Sequence, residues 1–137
     1  MNKRFAATIK KIIAKHDNLE EFEKALANDE TYHLKIENAP YMPLTIEAIG
    51  NHHESGLPQV SVCHYGEQNG DLMRDPEIVF EILPNDRGWM MTLYRNDYMN
   101  FDRSMVAKRN KDGFPVRYRV DNFPTLWNSN LRHQRFC

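Results

Sequence analysis

Val60-Ser61-Val62-Cys63-His64-Tyr65-Gly66-Glu67-Gln68-Asn69-Gly70-Asp71-Leu72-Met73-Arg74-Asp75-Pro76-Glu77-Ile78-Val79-Phe80-Glu81-Ile82-Leu83 is the stretch that decides the fold. At its start Val60, Val62 and His64 alternate with Ser61, Cys63 and Tyr65. At its end Ile78, Phe80 and Ile82 alternate with Val79, Glu81 and Leu83. A period of two places each set on its own face of a strand. Residues 66–77 between the runs read as a long hairpin turn. Gly66 and Gly70 accept backbone conformations that other residues resist, and Asp75-Pro76 marks the start of the next strand.

The same alternation extends to both sides. Tyr32, Leu34 and Ile36 alternate with His33, Lys35 and Glu37. Pro40 and Pro43 bracket Tyr41-Met42, and Leu44, Ile46 and Ala48 then share one side of a strand over 44–49. Residues 50–58 form a polar loop. Pro84 to Gly88 is a turn by composition, and Trp89 to Tyr94 is a fifth strand. Near 103–109 and 114–120 the pattern weakens, but Lys111-Asp112-Gly113 between them is hairpin-like and allows a further pair.

The ends have a different period. Phe5, Ile9, Ile12 and Ile13 fall at helical spacing over 3–15. A second helix covers 18–28, with Asp17 or Asn18 as its cap and Glu20 or Glu21 as the return partner; Leu19, Phe22, Ala25 and Leu26 form its stripe. A third covers 123–135, with Pro124 suited to its first position and Phe123, Leu126, Trp127 and Leu131 on one face. Helices at the ends, strands between and no βαβ alternation predict an α+β fold. A single domain over 1–137 is expected. It has a helical segment at 1–30, an antiparallel sheet of about five strands at 31–120, and a C-terminal helix at 121–137.

The net charge of -1 conceals an asymmetry. Residues 1–15 carry five bases and no acid, and residues 103–137 carry eight bases against Asp112 and Asp121. Residues 16–102 hold seventeen acids against five bases. Basic ends packed over an acidic sheet account for this; the alternative is an acidic face for a basic partner. The near-neutral total argues against a dedicated nucleic-acid binder, which would draw on the terminal bases with Tyr118, Trp127, Arg132 and Arg135. No apolar run approaches the roughly 20 residues of a membrane span, and the basic start has no apolar stretch behind it. Cys63 and Cys137 read as reduced thiols, so the expected setting is the cytoplasm.

The candidate site residues are His64, Glu67, Asn69, Asp71, Arg74, Asp75, Glu77, Arg95 and Asp97. A structural account has Asp71 and Asp75 capping backbone N–H groups and Arg74 paired with Glu67 or Glu77. A functional account has His64, Glu67, Asp71 and Glu77 converging on a metal or substrate, with Arg95 stabilising charge. Their spacing matches no metal signature, so structural or interaction use is favoured, and no cofactor is expected. Arg95 with Asp97, between Tyr94 and Tyr98, orients a site or pins a turn. Cys63 and His64 point to opposite faces and cannot act as nucleophile and base. His52-His53-Glu54 reads as an exposed loop.

Several of these segments together resemble an uncharacterised bacterial family, domain of unknown function 6908. They are Met42 to Glu47, Val60 to Glu77, Tyr94 to Tyr98, and Leu126 to Leu131 with Gln134 and Phe136. The likeness covers roughly 41–137. One departure is Asn100-Phe101, where glycine and an aliphatic residue are usual. The resemblance implies no activity. It implies a phage, plasmid or other mobile-element setting, in which small acidic proteins block host defence enzymes. The expectation is therefore a non-enzymatic interaction protein whose partner is a host protein. An inhibitor of a defence nuclease, anti-CRISPR or antirestriction, through an acidic surface, fits best. The alternatives are a metal-assisted hydrolase or nucleotide-processing enzyme using 64–77, and a nucleic-acid binder through the basic termini.

Overall fold

The computed structural model describes residues 1–117 and 123–136. Two helices, α1 (Lys3–His16) and α2 (Leu19–Ala27), precede eight strands: β1 (Thr31–Asn38), β2 (Tyr41–Asn51), β3 (Pro58–Gln68), β4 (Asp71–Ile82), β5 (Trp89–Asn96), β6 (Phe101–Ser104), β7 (Val106–Arg109) and β8 (Pro115–Arg117). A last helix, α3, runs Phe123–His133. β1 to β6 form an antiparallel meander in sequence order, and β7 pairs with β8 alone. The α+β expectation holds, with one strand more in the main sheet than the alternation revealed. The extra pair foreseen near 103–120 is β7–β8; the part of that expectation on 118–120 lies outside the described residues.

All three helices cover one face of the sheet. Phe5, Ile9, Ile12 and Ile13 of α1, Phe22 and Ala25 of α2, and Trp127 and Leu131 of α3 are buried against Leu44, Ile46, Val60, Val62, Ile78, Phe80 and Met91. Phe5 lies 5.2 Å from the Phe80 ring and 5.6 Å from Trp127. Burying large apolar side chains in this way is the main force holding the layers together. Asn18 caps α2 by accepting from the Glu20 N–H at 2.9 Å. Leu126 is exposed rather than on the buried stripe of α3. Trp127, offered as a stacking platform for a nucleic acid, is in the core. Tyr118 and Cys137 lie outside the described residues.

Among the described residues no helix lies on the other face. β7–β8 folds over one end, where Phe114 packs on Leu57, Leu83 and Met90 and Arg109 reaches Glu81. The opposite end, where the β1–β2, β3–β4 and β5–β6 turns lie, is left open by the described residues.

The largest departure from the sequence reading is residues 66–77. They are not a long turn. β3 continues to Gln68 and β4 begins at Asp71, leaving Asn69 and Gly70 between paired strand ends. Both have positive φ, 54° and 87°, the type I′ geometry that matches strand twist. Residues 67–72 are exposed throughout, so neither face is consistently apolar and the alternation that marks a half-buried strand is lost. At the β5–β6 turn Asn100 takes φ 52°, a left-handed conformation that asparagine tolerates better than most residues. The departure from glycine there is thus accommodated.

Candidate functional site

The β3–β4 arms separate the residues that the sequence gathers. His64 is 6 % exposed and turned toward the helices, its ring 5.4 Å from Trp127 and 5.6 Å from Phe136. Its Nδ1 is 3.3 Å from the Pro43 carbonyl. Burial holds its pKa below the ordinary imidazole value, and the carbonyls of Pro43 and Met42 oppose that shift. Glu67 and Asp71 are exposed beside the Asn69-Gly70 turn. Glu77 pairs in register with Cys63 and so faces away from His64. The proposed convergence of His64, Glu67, Asp71 and Glu77 is therefore absent. Among the described residues no three His, Cys, Asp or Glu side chains are grouped so as to hold a metal ion.

What the structure brings together is the β4 motif and the β5–β6 turn. Asp97 accepts from Arg74 Nε at 2.9 Å, from Nη2 at 3.0 Å and from the Arg74 backbone N–H at 2.8 Å. The Asp97 N–H donates back to the Arg74 carbonyl at 2.8 Å. This fork lowers the Asp97 pKa below the usual carboxylate value, through the Arg74 side chain first and its N–H second. Asn96 donates to Asp75 at 2.9 Å. Glu77 accepts from Ser61 at 2.7 Å and from Arg95 at 3.2 Å, with Arg74 Nη1 a further 3.7 Å away. Arg95 Nε lies 3.4 Å from Asp102, near enough for an ion pair but not aligned as a hydrogen bond.

These pairings correct the sequence reading in three places. The main partner of Arg74 is Asp97, with Glu77 secondary and Glu67 not involved. Arg95 pairs with Glu77 and Asp102 rather than with Asp97. Among the described residues the side chain of Asp75 accepts from the Asn96 side chain and from no backbone N–H, and Asp71 is exposed at the tip. Cys63, buried on the face opposite His64, has its thiol pKa pushed up to about 12, first by burial and then by Glu77. His52 and His53 stack at 4.5 Å in the β2–β3 loop, with His53 exposed.

The open end of the sheet carries exposed apolar side chains. Tyr41 is 41 %, Leu72 67 %, Tyr98 44 % and Met99 73 % exposed. They come from three turns that the meander places at one end. Gly66 lets two of those turns meet: a Cβ there would collide with the Tyr98 hydroxyl and approach Met42 Sδ to 3.3 Å. The Tyr98 hydroxyl donates to the Glu67 carbonyl at 3.3 Å. Beside this end a groove of about 540 Å³ opens on the bare face, lined among others by Met42, Pro43, Glu47, Tyr65, Glu67 and Leu72. Sequence reasoning missed Leu72, Met99 and Glu47. With an Asn-Gly turn assigned, Leu72 would have read as a large apolar residue next to the tip of a polar arm.

A family model matches residues 7–137 and is described as Domain of unknown function (DUF6908). The chain belongs to this family. The match extends the likeness from residue 41 back through most of α1, so the helical layer is part of the family's unit. No curated protein and no solved structure matches it. Membership of DUF6908 fixes kinship and carries no activity with it. No helix among the described residues is long and apolar enough to cross a membrane.

Proposed function

We propose that this chain is a non-enzymatic interaction protein that docks a partner protein on the open, three-turn end of its sheet. One observation carries the reading: Tyr41, Leu72, Tyr98 and Met99 are all more than two-fifths exposed and come from turns at the same end. Apolar side chains gathered in this way, with a charged rim, characterise surfaces that another molecule covers. Glu67 and Asp71 supply such a rim. The charged groups behind them, Arg74, Asp97, Glu77 and Arg95, are engaged with one another. They stiffen the surface rather than aim at a reacting atom.

The partner class to which the mobile-element resemblance leads is a host defence nuclease. Glu67 and Asp71 would stand against basic residues that otherwise contact phosphates. The test is affinity capture from source cells with the wild-type chain and with the Leu72→Glu, Met99→Glu double variant. The expected result is one stoichiometric protein with the wild type and none with the variant, while the two melt alike. Equal capture by both, or no partner together with no protection of a phage or plasmid in cells, overturns the reading.

A further inference from the structure

The groove beside the docking end has a chemistry of its own. Its walls are apolar, from Met42, Pro43, Tyr65 and Leu72, and Glu47 lies among them on β2, half-buried. The Glu47 carboxylate accepts no hydrogen bond and no ion pair from any described residue. It is near enough to Tyr65 to help raise that phenol's pKa, behind burial, Cys63 and Glu77. With no protein partner among the described residues, this carboxylate is left available to a cation or donor that enters the groove. Glu67 adds a second carboxylate at the rim, and its side chain is likewise unpaired among the described residues. Among the described residues the one lysine lining the groove, Lys35, is 3.4 Å from Glu37 and well exposed. Among the described lining residues, Glu37, Glu47 and Glu67 outnumber Lys35, so the groove carries an excess of carboxylates.

We propose that this groove takes an arginine or lysine side chain carried on an extended segment of the partner protein. This deepens the docking reading above and rests on it. Apolar walls with a carboxylate between them match a side chain that has an alkyl stem and a charged head. The Tyr65 ring offers that head a π-face. About 540 Å³ is room for more than a lone ion. The segment is extended because β1, which contributes His33, Lys35 and Glu37 to the rim, is one of the two edge strands of the main sheet. Its outer backbone groups are the natural template for a strand-like ligand.

The experiment uses the full chain, labelled with ¹⁵N, and capped heptapeptides with Arg, Lys, Gln or Glu at the centre of a Gly-Ser frame. The Arg and Lys peptides are expected to give saturable amide shifts at Thr45, Glu47, Tyr65, Gly66 and Leu72, and the Gln and Glu peptides none. Glu47→Gln is expected to weaken the Arg peptide by about tenfold, the factor for losing one charge-assisted contact, with the melting curve unchanged. Equal binding of the Gln peptide, equal affinity in Glu47→Gln, or shifts confined to another face overturns the proposal. So does tighter binding of spermidine than of the Arg peptide, which would mark a site for small cations. Running Glu47→Gln through the capture assay separates the two claims. A partner lost in the Leu72→Glu, Met99→Glu variant but kept by Glu47→Gln overturns the groove and leaves the docking surface standing. No partner for the wild type overturns both.

Discussion

His64 shows how a single residue can be misjudged from its neighbours in sequence. It stands beside Glu67, Asp71 and Glu77 along the chain, which suggests a metal or acid–base site. Its phase with Val60 and Val62 says otherwise, and the phase decides: the ring is packed between Trp127 and Phe136. The protonation of His64 is therefore tied to folding. Burial lowers its pKa below the ordinary imidazole value of about 6.5, so near and below that pH the unfolded chain binds the proton more readily than the native one. Stability then rises with pH across this window and falls as pH drops through it. His52 is shifted the same way, also chiefly by burial. The melting temperature is expected to fall on acidification from neutral pH toward 5, and His64→Phe is expected to flatten that slope without removing it. An unchanged slope in His64→Phe would mean that the ring is not buried neutral.

The elements were legible wherever a strand or helix has one dry side. Leu44, Ile46 and Ala48, or Phe5, Ile9 and Ile12, state their period plainly because one face meets the core. The β3–β4 arms beyond Tyr65 have no dry side, so their polar residues read as a turn although the Asn69-Gly70 dipeptide was a hairpin signal. Pairings across strands were legible least. Arg74 and Asp97 are 23 residues apart in sequence, and nothing local indicates that β4 and β5 set them 2.9 Å apart. That fork joins the two motifs into one element. Arg74 is 32 % and Asp97 25 % exposed at the side chain, so solvent screening limits the pair. A double-mutant cycle with Arg74→Ala and Asp97→Ala, read by urea unfolding, is expected to give a coupling of about 1 kcal/mol. Asp97→Ala alone should cost on the order of 1–3 kcal/mol, because it also orphans the Arg74 N–H. Additive single effects would show that the fork does not hold the turn.

At the scale of the whole molecule, the charge asymmetry is partly resolved by contact between the basic ends and the acidic middle. Lys10 lies 3.1 Å from Glu23, and Arg109 makes a fork to the fully buried Glu81 at 2.7 and 3.0 Å. The helices occupy one face and β7–β8 one end of the other, so the described residues leave the opposite end of the sheet bare. Composition could not locate that bare end, because which apolar residues stay outside depends on where the layers stop. There the groove, the carboxylates and the exposed apolar side chains coincide, and there the docking reading places the partner. Hydrogen exchange of the chain, free and bound to the protein it captures, tests this most directly. The account predicts slowed exchange in 41–47, 65–72 and 97–100, with the helices and β7–β8 unchanged. Protection confined to the helical face or to β7–β8 would contradict it.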